Sequence, residues 1–252
     1  MLAAVGLSAG YGDEPVIREL SLTVRPGEVL ALLGPNGSGK STLLSALCGV
    51  VKTAGGEVLL DGRPLLRMNR RSVSRKIAYV PQQSVFTQGF RVEEIVLMGR
   101  SCWLGPFERP KEDDLRRVER ALEAMELQQV RGKPVTELSG GESQRACLAR
   151  ALAQDTPICL FDEPTASLDP RHALLVMEQL ARLAREGKGV VVALHDVNLA
   201  FRYSARMAFL RGGRLLGEFL PEEVDGRILE SVFDVRWTFA EGLGKGRRAF
   251  PA

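Results

Sequence analysis

Short apolar segments alternate with glycine, proline and polar residues along most of the 252-residue chain. Near the start, Leu20, Leu22 and Val24 alternate with polar neighbours, and this period of two predicts a half-buried β-strand. The continuous apolar run at 28–33 predicts a fully buried strand, and the apolar positions within 42–48 predict an amphipathic helix. A buried strand, a loop and a helix therefore follow one another in this part of the chain.

Further strands are predicted after this unit. Residues 18–24 and 57–60 have strand character, and we expect them to pair in an antiparallel β layer through glycine-containing turns at 55–56 and 61–62. The same patterns predict buried strands at 77–80, 158–161 and 190–194, and a hairpin formed by 206–211 and 214–219. Strands that alternate with helices in this way are typical of an α/β fold with a mostly parallel sheet and flanking helices.

The apolar spacing becomes helical between 92 and 154, which predicts a helical subdomain. Helices are expected at 92–98 and at 113–127. The second of these carries apolar residues at three- and four-residue spacing, namely Leu115, Val118, Leu122 and Met125. The segment 99–110 is expected to be a loop with exposed apolar side chains, which form either a docking surface or a small satellite core.

These patterns divide the chain into one large domain and a short tail. We assign 1–235 to the domain, with the helical subdomain inserted at about 84–154, and 236–252 to the tail. The final part of the tail, 241–252, is rich in glycine and arginine and is expected to be mobile.

Composition excludes several classes of protein. Apolar residues make up 45% of the chain and charged residues 26%, which is ordinary for soluble globular proteins. The net charge of +3 gives no indication of nucleic-acid binding. The four cysteines lack a C-x-x-C spacing, so we expect reduced thiols. Because no apolar run approaches the ~18 residues of a membrane span and the apolar start lacks the basic flank of a signal peptide, we expect a cytoplasmic protein.

The loop after the buried strand has the pattern G-x-x-x-x-G-K-[ST]. Its residues are Gly34, Pro35, Asn36, Gly37, Ser38, Gly39, Lys40, Ser41 and Thr42. Glycines let consecutive backbone N–H groups curl around an anion, the following helix directs its positive end at the same point, and the lysine adds a full charge. The serine hydroxyl is suited to Mg²⁺. The alternative is a glycine turn before a core helix, and the sequence context of strand, glycine loop and helix favours the phosphate site.

Polar side chains follow three of the predicted buried strands. Gln82 lies beyond 77–80, Asp162 and Glu163 follow 158–161, and His195 follows the strand that ends at 194. Ligands of α/β proteins bind at the carboxyl ends of the strands, so we expect these side chains to meet at one site. Two adjacent acids at the end of a buried strand are costly to ionise without a nearby cation, and Mg²⁺ would supply it.

Three further features have a structural and a functional interpretation. Tyr11 lies between two glycines and is either a turn residue or a platform for an adenine ring. Ser139 and Glu142 fit a capping box, whereas the two glycines between them favour close approach of a phosphate. Asp169 is either the N-cap of the next helix or part of the same site.

Taken in order, these motifs resemble the nucleotide-binding subunits of the ATP-binding cassette (ABC) family. The resemblance covers about residues 2–235. It includes the Walker A loop at 34–42, the Q-loop Gln82, the signature at 138–142, the Walker B acids at 162–163, the D-loop at 167–169 and the switch residue His195. A Leu-Ser-Gly-Gly signature before a Walker B strand is specific to this family among NTPases of this type.

The resemblance implies a role for each residue, with ATP and Mg²⁺ as cofactors. The residues expected to act in catalysis are Lys40, Gln82, Glu163 and His195. Those expected to hold Mg²⁺ are Ser41, Gln82 and Asp162. Those expected to contact ATP are Tyr11, the loop 34–42, Asp169 and the signature residues Ser139, Gly140, Gly141 and Glu142. Many members have glutamine in place of Glu142, which leaves the contact made by that side chain open.

The resemblance also implies partners. Two copies would form a head-to-tail dimer in which the Walker A loop of one and the signature of the other enclose each ATP. An integral membrane permease would dock near Gln82 and 86–107 on the inner face of the membrane and work with a substrate-binding protein. The 98–100 and 232–235 segments look like those of importers of iron chelates, haem or cobalamin. The alternatives are a subunit for another cargo, a soluble ABC ATPase of metal-cluster assembly or DNA repair, and a regulatory module that does not hydrolyse ATP.

Overall fold

The computed structural model describes residues 1–12, 14–82, 89–241 and 247–252, in which strands and helices alternate. The strands are β1 (Leu2–Ala9), β2 (Ile17–Val24), β3 (Val29–Leu33), β4 (Thr53–Leu60), β5 (Arg63–Pro64), β6 (Ile77–Val80), β7 (Ile158–Asp162), β8 (Gly189–Ala193), β9 (Arg206–Arg211), β10 (Arg214–Phe219), β11 (Trp237–Glu241) and β12 (Arg247–Pro251). The helices are α1 (Lys40–Leu47), α2 (Arg70–Ser74), α3 (Val92–Met98), α4 (Glu112–Ala124), α5 (Gly140–Gln154), α6 (Pro170–Arg185), α7 (Val197–Tyr203) and α8 (Gly226–Phe233). The predicted α/β class is confirmed.

The larger sheet has the strand order β10-β9-β3-β8-β7-β6 within the described residues. Neighbouring strands run parallel except β9 and β10, which form the predicted hairpin. Both faces of the sheet are covered: along β3, Ala31 and Leu33 belong to one hydrophobic core and Leu30 and Leu32 to another. Burial on both faces explains the uninterrupted apolar runs of its strands. The parallel arrangement brings the carboxyl ends of β6, β7 and β8 to one edge.

The second sheet is antiparallel, with the order β2-β1-β4-β5. The predicted β layer is therefore confirmed, but the expected pairing is wrong, because β2 and β4 each pair with β1 and not with each other. Gly55 and Gly56 lie inside β4 and not in a turn. A Cβ on Gly56 would lie 2.2 Å from the Gly6 carbonyl oxygen, at a point where the β1–β4 register shifts. This close approach of two strands explains the glycine.

Two helices differ from their predicted patterns. The chain predicts an amphipathic α1, yet nearly all of its residues are buried because it packs between the two sheets. In α4, Val118 and Leu122 are buried as expected, whereas Leu115 is 51% exposed. Helices α3, α4 and α5 pack on one another as the expected helical subdomain. The exact domain boundaries remain a prediction.

The C-terminal strands β11 and β12 form an antiparallel hairpin. The expectation of mobility is therefore wrong for 247–251, which pair with β11 and bury Ala249. The contacts that order this strand come from helix α7, far away in sequence, so local composition gave no sign of them. In the described part of the chain, none of the helices combines the length and the apolar character needed to cross a bilayer.

Candidate active site

The loop between β3 and α1 borders a cavity of about 370 Å³. Positive φ angles at Gly34, Gly37 and Gly39, of 153°, 76° and 103°, let the backbone curl before α1 begins at Lys40. A Cβ on Gly34 would lie 2.1 Å from the Leu210 carbonyl oxygen, so only glycine fits there. The curled backbone and the N-terminus of α1 give this cavity the polarity of an anion site.

Most of the predicted Walker A and catalytic residues line this cavity, namely Asn36, Gly37, Ser38, Gly39, Lys40, Ser41, Thr42, Gln82, Glu163 and His195. Gly34 and Pro35 are not part of the cavity lining, but their carbonyl oxygens accept hydrogen bonds from Lys40 Nζ at 2.8 and 3.2 Å. The lysine ammonium is thus held by the loop on a flexible stem. Exchange of these carbonyl contacts for phosphate oxygens would need only a rotation of that stem.

Val16 also lines the cavity, and the sequence did not single it out. Its Cγ1 would lie 3.5 Å from a Cβ on Gly39, so the side chain sits directly against the loop. An apolar residue just before a strand carries no motif of its own.

Three side chains from neighbouring strand ends meet at one wall of the cavity. Gln82, Glu163 and His195 lie just beyond β6, β7 and β8, which are adjacent in the sheet. Gln82 Nε2 donates to Glu163 Oε2 at 2.6 Å, and His195 Nε2 contacts Glu163 Oε1. Glu163 is therefore held from both sides, and it is 8% exposed. Its backbone has a φ of 50°, a conformation that is uncommon outside glycine and is found at functional sites.

Asp162 ends β7 with a buried carboxyl group near Lys40. Burial raises the pKa of Asp162, and the Glu163 charge raises it further, whereas the Ser41 hydroxyl and Lys40 lower it. Burial also lowers the pKa of Lys40, against the effect of Glu163 and Asp162. Two carboxyl groups and one ammonium thus share a partly desolvated space, and an additional cation would stabilise the ionised acids.

These residues fit a Mg²⁺ ion that takes part of its ligands from a phosphate. Asp162 Oδ1 is buried and has no hydrogen-bond partner within the described residues. Ser41 and Gln82 line the adjoining cavity and offer further oxygens. The described residues contain no group of three or more His, Cys, Asp or Glu side chains able to hold a metal. Mg²⁺ is commonly bound by one or two carboxylates together with substrate phosphates, which matches this donor set.

The signature residues lie at the start of α5, and they are absent from the lining of the Lys40 cavity. Ser139 is the N-cap: its Oγ accepts from the Glu142 N–H at 3.3 Å, and the Glu142 carboxylate accepts from Ser139 N–H at 2.9 Å and from Ser139 Oγ at 2.7 Å. These bonds lower the pKa of Glu142. The predicted capping box is confirmed. A Cβ on Gly141 would lie 3.5 Å from Leu168, so the signature packs against the D-loop.

Asp169 and Tyr11 lie outside the cavity lining. Asp169 is the N-cap of α6 and accepts from the His172 N–H at 3.0 Å and from His172 Nδ1 at 2.5 Å, so its structural interpretation is confirmed. The side chain of Tyr11 is 73% exposed, which leaves a ring face available for stacking. The contacts of both residues with ATP remain predictions.

Comparison with known proteins identifies the family. The ABC transporter family model matches residues 17–166, more than half of the chain. The chain belongs to the ABC transporter family. This ATPase is 44% identical to the hemin import ATP-binding protein HmuV of Streptomyces coelicolor over 93% of its own length and 83% of the relative. It is 34% identical to the petrobactin import ATP-binding protein YclP of Bacillus subtilis, with 93% of each chain covered.

Solved structures agree with this assignment. A metal-chelate type ABC transporter in an inward-facing conformation matches with a TM-score of 0.84 at 27% identity and covers 100% of this ATPase and 96% of that chain. A dimeric bacterial ABC transporter cassette matches with a TM-score of 0.79 at 30% identity, and the match covers 88% of this ATPase and 99% of that chain. As a member of this family, the protein binds and hydrolyses ATP.

Proposed function

We propose that this ATPase powers the import of an iron chelate, either haem or a ferric siderophore. The observation that carries the proposal is the similarity, over more than nine-tenths of the chain, to ATP-binding subunits named for hemin and for petrobactin import. These names favour iron chelates over cobalamin. The match of the whole chain to a metal-chelate type transporter supports the same group.

In the proposed mechanism, the phosphate loop binds the triphosphate and Lys40 moves from the carbonyl oxygens of Gly34 and Pro35 to the β- and γ-phosphates. Phosphoryl transfer has a loose transition state, so catalysis consists mainly of positioning and charge neutralisation. Mg²⁺, held by Ser41, Gln82 and Asp162, would neutralise phosphate charge when bound. The buried Asp162 oxygen without a hydrogen-bond partner supports this assignment.

Glu163 is the proposed general base. It is held between Gln82 and His195 at the wall of the phosphate cavity, so one of its oxygens can orient a water and accept a proton from it. His195 is the proposed sensor of the γ-phosphate, since its imidazole touches the base and lines the same cavity. Gln82 connects the site to the helical subdomain that follows it in the chain.

ATP is proposed to lie between two copies of the chain. Ser139 and the signature glycines do not line the cavity that contains Lys40, which supports their action on the nucleotide of a partner copy. The similarity to a dimeric cassette supports the same arrangement. Closure of the dimer then depends on ATP, and hydrolysis removes the anion that joins the two copies.

A membrane permease and, through it, a substrate-binding protein are the proposed partners, with the ATPase peripheral on the cytoplasmic face of the membrane. Exposed apolar side chains lie in and near the predicted docking segment: Phe107 is fully exposed, and Phe90, Met98 and Trp103 are at least 36% exposed. Residues 86–88 of that segment lie outside the described part of the chain. The concentration of exposed apolar side chains in one segment supports an interaction surface there.

Uptake by intact cells tests the proposal. A strain that lacks this chain is expected to fail to accumulate iron from haem, from a ferric siderophore, or from both. The wild-type chain should restore uptake and Glu163→Gln should not. Normal uptake of both chelates together with loss of cobalamin uptake would refute the proposed cargo. Co-purification of the tagged chain with an integral membrane protein checks the partner, and its absence from detergent-solubilised membranes would contradict a permease complex.

A further inference from the structure

The C-terminal hairpin is fastened to α7, the helix that begins two residues after His195. Asn198, in the first turn of α7, donates from Nδ2 to the Ala249 carbonyl oxygen at 3.1 Å and accepts from the Ala249 N–H through Oδ1 at 2.9 Å. The amide side chain thus pairs with β12 much as a neighbouring strand would. Ala249 is 1% exposed and Asn198 is half-buried, so both bonds are partly shielded from water. Because each amide atom has a partner of the right type, the contact is directional.

Aromatic packing holds the hairpin on two sides. Phe201 of α7 meets Phe239 of β11 edge to face, with ring centroids 5.9 Å apart. Trp237 of β11 contacts Phe233 of α8, with ring centroids 5.7 Å apart. A Cβ on Gly226, at the start of α8, would lie 2.9 Å from the Trp237 carbonyl oxygen. The hairpin is therefore wedged between α7 and α8.

The side chain of His195 contacts Glu163 but is 46% exposed, so its position also depends on the elements before and after it. On one side, the Leu194 N–H donates to the Leu32 carbonyl oxygen at 3.0 Å. On the other side, Asp196 caps α7 by accepting from the Asn198 N–H at 2.8 Å. Asn198 is therefore bonded both to the Asp196 cap and to the hairpin. Because Asp196 follows His195 directly, a shift of the first turn of α7 would also move His195.

We infer that Asn198 is a positioning residue for ATP hydrolysis: through Ala249 it anchors the first turn of α7 and so aims His195 at Glu163 and the γ-phosphate. The inference rests on the role proposed above for His195. The C-terminal hairpin supplies the anchor. The structural match to the metal-chelate type transporter extends over the whole chain and so includes the hairpin. The match to the dimeric cassette covers 88% of the chain.

A double-mutant cycle on the purified chain tests the inference, with phosphate release measured over a range of ATP concentrations. Asn198→Ala and deletion of 237–252 are each expected to lower kcat by about tenfold and to leave the KM for ATP within about twofold, because a misplaced sensor affects turnover and not binding. Asn198→Asp keeps the acceptor and loses the donor, so its kcat should be intermediate. The combined variant should be no slower than the deletion alone. Phe250→Ala, next to Ala249 but 46% exposed, should have the wild-type kcat.

Several outcomes would overturn the inference. Wild-type kcat in Asn198→Ala is one, additive losses in the combined variant are another, and a rise in KM at constant kcat is a third. Circular dichroism and a thermal midpoint well above the assay temperature ensure that each variant is folded. His195→Ala separates the two claims: if it is inactive while Asn198→Ala turns over normally, the proposed role of His195 stands and the hairpin anchor fails. Full activity of His195→Ala would refute the sensor role, and the anchor with it.

Discussion

Replacement of Glu163 by glutamine tests the site most directly, because it removes one charge and almost no volume. In the wild-type chain one carboxylate oxygen accepts from Gln82 at 2.6 Å and the other contacts His195. Glutamine occupies the same space and keeps one acceptor oxygen. The substitution therefore isolates the charge and basicity of this side chain from its shape.

The expected loss in turnover is large. A positioned general base contributes about 10²–10⁴ in rate, which corresponds to about 3–5.5 kcal/mol of activation free energy. The affinity for ATP should increase or stay the same. The Glu163 charge raises the pKa of Asp162, so its removal lowers that pKa and favours the ionised form that binds a cation. Removal also relieves repulsion of the γ-phosphate, which at an effective dielectric of about 20 amounts to a few kcal/mol between close charges. We expect the Kd for ATP to be equal or lower.

Three measurements check this prediction on the same preparation. Phosphate release gives kcat, calorimetric titration with ATP and Mg²⁺ gives Kd, and gel filtration with light scattering gives the oligomeric state. The variant should bind ATP, hydrolyse it at least a hundredfold more slowly than the wild type and elute as a dimer only with ATP. Glu186→Gln removes an equal charge from a surface position remote from the site and should behave as wild type.

Three results would refute the reasoning. Turnover within tenfold of the wild type would show that Glu163 is not the base. A variant that binds ATP yet remains monomeric at every concentration would show that the nucleotide is not shared between copies. A crystal structure with Ser139 and Lys40 of the same molecule around one γ-phosphate would have the same consequence.

Three further outcomes are expected. Ser139→Arg should abolish turnover and leave the ATP affinity of the isolated chain within about twofold, since Ser139 lies outside the phosphate-loop cavity; a large loss of affinity in equilibrium binding would contradict this. Gly213→Ala should cost about 2–4 kcal/mol in urea unfolding, because its Cβ would lie 1.8 Å from a carbonyl oxygen, whereas Gly212→Ala, with nothing within 4 Å, should cost about 1 kcal/mol; equal costs would refute the steric argument. Asp114→Asn breaks a buried ion pair of 2.8 Å and should cost about 3 kcal/mol, a much larger loss than that caused by the exposed Asp113→Asn, as measured by the same method.

Much of the site could be predicted because its parts are local. The phosphate loop depends on glycines whose φ angles are set within a few residues, and the caps formed by Ser139 and Asp169 span three residues each. Such interactions depend only on residues that are close together in the sequence. The rule that strand ends share one edge of a parallel sheet extended this reach to Gln82, Glu163 and His195.

Other features could not be predicted from local patterns. β1 pairs with both β2 and β4, and these contacts join strands that are separated in the sequence. Strands with similar apolar alternation are equally good candidate partners, so the pattern alone does not select the pairing. The position of Val16 beside Gly39 follows from the packing of β2 near the loop, and the chemistry of a valine side chain gives no indication of it.

The sequence by itself determined the family, the phosphate loop and the residues available for catalysis, because motif spacing and backbone preference act over short stretches. Only the tertiary structure decided which of those residues touch and what supports them: the contacts of Glu163 with Gln82 and His195, the exclusion of Ser139 from the Lys40 cavity, and the grip of Asn198 on Ala249. The contacts among these join segments about 30 to 80 residues apart, whose encounter is set by sheet order and core packing and not by neighbouring residues.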